Sequence, residues 1–508
     1  MAFARASGVL LHPTSLPGRF GVGDLGRCAL EFVDLLAAAG QRVWQVLPLG
    51  PTGYGDSPYQ CFSALAGNPL LISLDRLIEQ GLLTASEAEG GDFPEGDIDY
   101  PAVLGHRRAL WPRVLDRFDG SAPAGMRDRF ERFCRAQAAW LDDFSLFMAV
   151  KAAHDDQAWT KWERGIAHRD PAAIERWTER CDQSIRMHKL TQFLFREQWQ
   201  AVRSACHARA IAIMGDLPIF VAHDSADVWA RRELFKLDDE GRPTVVAGVP
   251  PDYFSATGQL WGNPHYRWDV LQRSGYAWWI ERFRSLLALV DRIRIDHFRG
   301  FVASWEIPGD APSAIEGAWM DGPGLPLFQA VREALGTSEL PFVAENLGVI
   351  TPEVERLRED LGLPGMAILQ FAFGSDPQAP AFKPHNYPRN RVVYTGTHDN
   401  DTTIGWWGGG VGHSTRSAAD LTREREFACR YLGIDGQDVH WEFIRAALAS
   451  VADTAIVPAQ DLLGLGSDAR MNRPGTLGGN WRWRLRPGQL TPAIGRRLAD
   501  LTATYDRI

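Results

Sequence analysis

The chain has 508 residues, 45% hydrophobic and 23% charged, proportions of a globular protein long enough to bury a large core without disulfide or metal staples. Its 54 Lys and Arg against 63 Asp and Glu give a net charge of −9, which offers no basic footprint for nucleic acid. No apolar run approaches the roughly 18 residues that a membrane span needs.

In chain order, short apolar or β-branched runs that end in polar residues occur at 7–12 (SGVLLH), 43–49 (VWQVLPL), 211–220 (IAIMGDLPIF) and 290–297 (VDRIRIDH). They continue at 341–346 (PFVAEN), 366–371 (MAILQF), 392–398 (VVYTGTH) and 454–460 (TAIVPAQ). Helical patterns at 24–39, 277–288 and 325–335 separate some of them. Continuous apolar strands alternating with helices predict a parallel sheet. Eight such units predict a closed (β/α)8 TIM barrel of the α/β class, with an open doubly wound sheet as the alternative. The runs are unevenly spaced, and the long gaps read as large, mainly helical insertions on a single barrel spanning 1–508. One insertion occupies 65–200, where Phe130, Phe133, Gln137, Trp140, Leu141, Phe144, Phe147 and Met148 fall near helical spacing, and the other occupies 222–276. The Gly- and acid-rich segment 85–99 reads as a surface loop. A closing helix is predicted at 493–502, with no room after the eighth run for a C-terminal β-sandwich.

The N-terminal stretch lacks a sustained apolar segment because His12 and Pro13 cut it short, so no secretory leader is expected. Six cysteines without a C-x-x-C pair read as reduced thiols, and the expected compartment is the cytoplasm. The 19 tryptophans are compatible either with a large core or with flat surfaces for sugar rings.

In a (β/α)8 barrel, reacting groups sit at the C-terminal ends of the strands. Acids stand there in four runs, as Asp216, Asp296, Glu345 and Asp399. Period two puts Arg294 and Asp296 on one side of their strand. The guanidinium is expected to lower the carboxyl pKa and keep Asp296 anionic, although an ion pair plugging the barrel is the structural alternative. Glu345 shares a face with Val343 and has no cationic neighbour in sequence, so its pKa is expected to rise. Two carboxyls with opposed demands are what glycoside cleavage needs, and Asp399 would be the third acid, binding sugar hydroxyls. The G-x-G-x-x-G match at 21–26 does not directly leave a strand and lacks the acidic partner of a dinucleotide site. No histidine pair at zinc spacing and no G-x-S-x-G is present, and nothing supports a metal or organic cofactor.

These residues resemble the amylomaltases, the 4-α-glucanotransferases of glycoside hydrolase family 77 in the α-amylase clan. The resemblance rests on 7–17 (SGVLLHPTSLP), 53–60 (GYGDSPYQ), 215–221 (GDLPIFV), 248–264 (GVPPDYFSATGQLWGNP) and 294–300 (RIDHFRG). It also covers 344–348 (AENLG), 394–403 (YTGTHDNDTT), 460–466 (QDLLGLG), 470–475 (RMNRPG) and 479–483 (GNWRW). It implies Asp296 as nucleophile, Glu345 as general acid/base and Asp399 as transition-state stabiliser. It implies Tyr59, Asp216, Arg294 and His398 around the bond that is cut, and Asp252, Gln259 and Trp261 in a loop over the acceptor side. His297, Phe371 and Asn472 match further sugar contacts, while Tyr54 and Tyr100 match an outer glucan-guiding site. The implied partners are maltooligosaccharides and α-1,4-glucans as donor and acceptor. The implied reaction is retaining transfer, for which the two carboxyls are expected about 5–5.5 Å apart. An α-1,4-glucan hydrolase of the same clan and a non-catalytic glucan-binding barrel are the alternatives.

Overall fold

The computed structural model describes residues 5–251, 257–409, 417–476 and 478–508. Twelve strands are present among them: β1 (Ala6–Leu10), β2 (Val43–Gln45), β3 (Ala212–Pro218), β4 (Val245–Val249), β5 (Gln259–Pro264), β6 (Arg292–Asp296), β7 (Ala303–Pro308), β8 (Ala318–Asp321), β9 (Phe342–Ala344), β10 (Gly365–Ile368), β11 (Arg391–Tyr394) and β12 (Thr454–Pro458). Eight close into a parallel barrel in the order β1-β12-β11-β10-β9-β6-β3-β2, each strand arising from one of the eight predicted runs. The chain is therefore a (β/α)8 barrel, and the open sheet is excluded.

Buried side chains dominate every barrel strand, as continuous apolar runs require. The fit between β1 and β2 is close, since a Cβ on Gly8 would lie 2.2 Å from the Val43 carbonyl oxygen. Several runs outlast their strands. The run at 43–49 pairs only through Gln45, and that at 341–346 pairs only through Ala344. The residues that follow leave the ladder at the C-terminal rim, where Val46, Leu47 and Leu49 stay buried and where Glu345 stands.

Helices fill the interval between β2 and β3. The long helix Met126–Ala153 buries Phe130, Leu141, Phe144 and Phe147 along one face, and it packs on Asp182–His207, which leads into β3. The segment expected as a loop from residue 85 opens instead with a helix, Ala85–Ala88. Thr84 and Glu87 close a capping box on it, satisfying donors that the first turn would leave orphaned.

A second sheet, antiparallel and ordered β5-β4-β7-β8, was not anticipated. Its halves come from both sides of β6, so no single segment carried its signal. All six cysteines are free. Among the described residues no helix is long and apolar enough to cross a membrane. The helix Pro492–Thr504 closes the chain against Arg27–Ala38.

Candidate active site

The β3–β6 register sets Asp216 opposite Arg294 and Pro218 opposite Asp296. Arg294 points into the barrel, and its Nη1 donates to Asp216 Oδ1 at 2.9 Å and Oδ2 at 2.7 Å. The same nitrogen lies 3.0 Å from Asp296 Oδ1. One buried cation thus serves two carboxylates. Tyr59 adds a third tie to Asp216, its hydroxyl donating to Oδ2 at 2.9 Å. Burial holds the Tyr59 hydroxyl well above its ordinary pKa, with the Asp216 charge adding to the effect, so it remains a donor.

Burial opposes the charge on Arg294, but Asp216 and Asp296 outweigh it and hold the guanidinium above its ordinary range. The expectation for Asp296 is corrected here. Its carboxyl is raised, not lowered, because burial and the nearby Asp399 charge outweigh the pull of Arg294 and His398. Sequence adjacency identified the cation but could not register the loss of water.

Glu345 follows β9 directly. Its Oε2 accepts the backbone N–H of His297 at 2.8 Å and its Oε1 accepts that of Leu347 at 2.8 Å. His297 takes the left-handed conformation at φ 53°. That turn, uncommon outside glycine, aims the amide beside Asp296 at the Glu345 carboxyl. Burial pushes Glu345 up to about 7, and the Asp296 charge adds to this against the pull of Arg294. The expected rise is therefore present.

Asp399 lies in the loop after β11. Its Oδ1 accepts from Asn472 Nδ2 at 2.6 Å and lies 3.4 Å from His398 Nε2. The His398 ring stacks on Tyr59 with centroids 5.1 Å apart and planes 16° apart. Trp481 tilts against both rings, at 5.7 Å from Tyr59 and 5.8 Å from His398. Burial depresses the pKa of His398 and of His297, the latter to about 3, so His297 is a neutral imidazole. Its Nε2 is buried without a hydrogen-bond partner among the described residues, which leaves it available to a sugar hydroxyl.

Trp261, on β5, meets the His297 ring edge-on at 4.9 Å and 89°, and its Nε1 donates to Gln259 Oε1 at 3.1 Å. Asp252 lies outside the described residues. Phe371 sits in the turn after β10 with its ring 5.3 Å from that of Phe382. Tyr54 is 72% exposed. Tyr100 does not fit an outer glucan platform, because it is buried and its hydroxyl donates to the Trp481 carbonyl at 2.9 Å.

The structure thus brings together Asp216, Arg294, Asp296, Glu345, Asp399, His398, Tyr59, His297, Trp261 and Asn472 around the C-terminal rim. Asn472, expected against sugar, has its amide on the Asp399 carboxylate. Trp481 was missed as a site residue. Its signal was the 479–483 segment, quoted as a motif without a role, and its left-handed backbone at φ 63° turns the indole toward Tyr59. Two carboxyls of raised pKa beside one shared cation can divide the roles of nucleophile and proton donor.

The family model described as 4-alpha-glucanotransferase, glycoside hydrolase family 77, matches residues 11–491. A 4-alpha-glucanotransferase of Synechocystis sp. is 51% identical over 507 residues, covering 99% of this chain and 98% of the relative. That of Thermus thermophilus is 50% identical over 519 residues, covering 100% of both. Among solved structures, the amylomaltase from Streptococcus agalactiae in complex with acarbose superposes with a TM-score of 0.93 at 39% identity, covering 99% of each chain. With this coverage, and with the acids gathered at the barrel rim, the chain belongs to the 4-alpha-glucanotransferases of glycoside hydrolase family 77.

Proposed function

We propose that the protein is a 4-α-glucanotransferase that moves segments of α-1,4-glucan to a sugar 4-hydroxyl by a retaining double displacement. The observation that carries the reading is the Asp296–Glu345 pair. One acid is bound to the buried Arg294 at 3.0 Å, and the other is raised to about 7 beside it. Glu345 then holds a proton near neutrality, while Arg294 supports the anionic form of Asp296.

In the first step the Asp296 carboxylate attacks the anomeric carbon, and the glycosidic bond breaks as Glu345 passes its proton to the departing oxygen. A covalent glucanyl-enzyme results. In the second step the acceptor's 4-hydroxyl attacks the same carbon, Glu345 takes its proton, and Asp296 is released. Asp399, held by Asn472, bonds to the sugar hydroxyls and favours the flattened oxocarbenium-like ring. His297 and Trp261 border the acceptor side, where Trp261, which the structure carries on β5 and not in a loop, would cover bound sugar and keep water from the intermediate.

In this reading the whole chain works as one catalytic barrel. The 65–200 insertion supports the rim and the 222–276 insertion supplies the acceptor side. Maltooligosaccharides and α-1,4-glucans are donor and acceptor, and the same reading carries a cytoplasmic location. Incubation with maltotriose alone provides the test. A ladder of longer oligosaccharides with released glucose and nearly constant total reducing ends is expected. Steadily rising reducing ends would mean hydrolysis and would overturn the transferase reading.

A further inference from the structure

Asp399 stands in a loop without ladder hydrogen bonds, and its carboxylate is met from a second such loop, the one after β12. Irregular loops of this kind have no intrinsic spacing; something must set it. Side chains of the second loop reach across to the first: Ser467 Oγ donates to Asp401 Oδ2 at 2.7 Å, and Arg470 reaches the backbone of the acid itself. Arg470 Nη2 donates to the backbone oxygen of Asp399 at 2.5 Å, and its Nε donates to the backbone oxygen of Asn472 at 2.8 Å. The residues joined in this way are the two whose side chains meet, Asn472 Nδ2 donating to Asp399 Oδ1 at 2.6 Å. A backbone bond from Asn472 N to the His398 carbonyl, 3.0 Å long, continues the seam.

We propose that Arg470 is a positioning residue for Asp399, fixing the separation of the two loops so that the Asn472 amide holds the Asp399 carboxylate in its working orientation. The charge of Arg470 also interacts with Asp401 and Asp399, and the contact pattern adds a geometric role to it. These two bonds go to carbonyls, not to the Asp399 carboxylate, and the planar guanidinium presents its Nε and Nη2 donors to them at a fixed spacing. Lysine would keep the charge and lose the fork. The inference rests on the reading of Asp399 as the acid that stabilises the transition state.

The test uses the full-length enzyme and maltotriose disproportionation. Arg470→Lys is expected to lower kcat by about 10- to 100-fold, the scale of a small misplacement at a reacting centre, with KM changing far less. Arg470→Gln serves as a second variant, and thermal unfolding of each establishes that the fold is intact. In an Asn472→Ala background, where the contact being positioned is already gone, Arg470→Lys is expected to cost less than about threefold more. Undiminished kcat in Arg470→Lys, or the full loss persisting in the Asn472→Ala background, would overturn the proposal. Asp399→Asn distinguishes the two levels of failure. If it retains wild-type rate, the reading of Asp399 fails; if it is inactive while Arg470→Lys is fully active, only the positioning role does.

Discussion

Chemistry in this site is set by how few cations answer several buried acids. Asp216 has no exposed side-chain surface, and Arg294 is its buried partner. Asp216→Ala leaves Arg294 with Asp296 as its remaining partner in low dielectric and strips the Tyr59 hydroxyl of its acceptor, so it is expected to destabilise the fold by about 2–4 kcal/mol. Denaturant unfolding would measure this, and a loss under about 1 kcal/mol would show the pair to be screened by water. The raised acids also fix a pH profile. Asp296 must be ionised to attack, and its raised pKa moves the acid limb of kcat/KM above the ordinary carboxylate range. Glu345 must be protonated to serve as acid, so kcat/KM falls as pH rises through about 7. An activity flat from about pH 5 to 9 would contradict that assignment. All four acids were legible in the sequence, because each stands within or just after an apolar run. The direction for Glu345 was legible too, since its apolar neighbours travel with it. That for Asp296 was not, because desolvation comes from strands and loops distant in sequence.

At the scale of elements, the barrel strands were readable because buried parallel strands write themselves as continuous apolar runs. The antiparallel sheet was not, because its strands alternate with irregular segments and pair across β6. That sheet matters to function through β5, which carries Gln259 and Trp261 against His297. Trp261→Ala is expected to shift product partition from transfer toward hydrolysis, with reducing ends accumulating from maltotriose. An unchanged ratio would remove Trp261 from the account of water exclusion. Asn472 shows the same limit on a smaller scale. Its presence near the site was legible, but its partner was set by the folded path of two loops.

Across the whole molecule, closure of the barrel depends on a junction opposite the acids. The Arg507 guanidinium is fully buried and donates to the backbone oxygens of Leu448 at 2.6 Å, Ala6 at 3.0 Å, Ser450 at 3.0 Å and Ala452 at 2.9 Å. It ties the segment after the helix Pro492–Thr504 to β1 and to the approach to β12, the two strands whose pairing closes the barrel. Arg507→Ala removes several charge-assisted bonds at once and is expected to cost about 3 kcal/mol or more, with kcat unchanged at temperatures where the variant stays folded. Equal unfolding midpoints for variant and wild type would contradict this role. The closing helix was legible from its periodicity, whereas an arginine serving backbone carbonyls leaves no pattern in sequence.

The central claim, a covalent intermediate on Asp296 resolved by Glu345, is most directly tested by trapping. Glu345→Gln should be incubated with a maltotriosyl fluoride, whose leaving group needs no proton, and examined by intact-mass and peptide mass spectrometry. The account predicts fluoride release with a glucanyl adduct that accumulates on the peptide bearing Asp296, because the base for the second step is gone. Fluoride release with an unmodified protein and product of inverted anomeric configuration would contradict it.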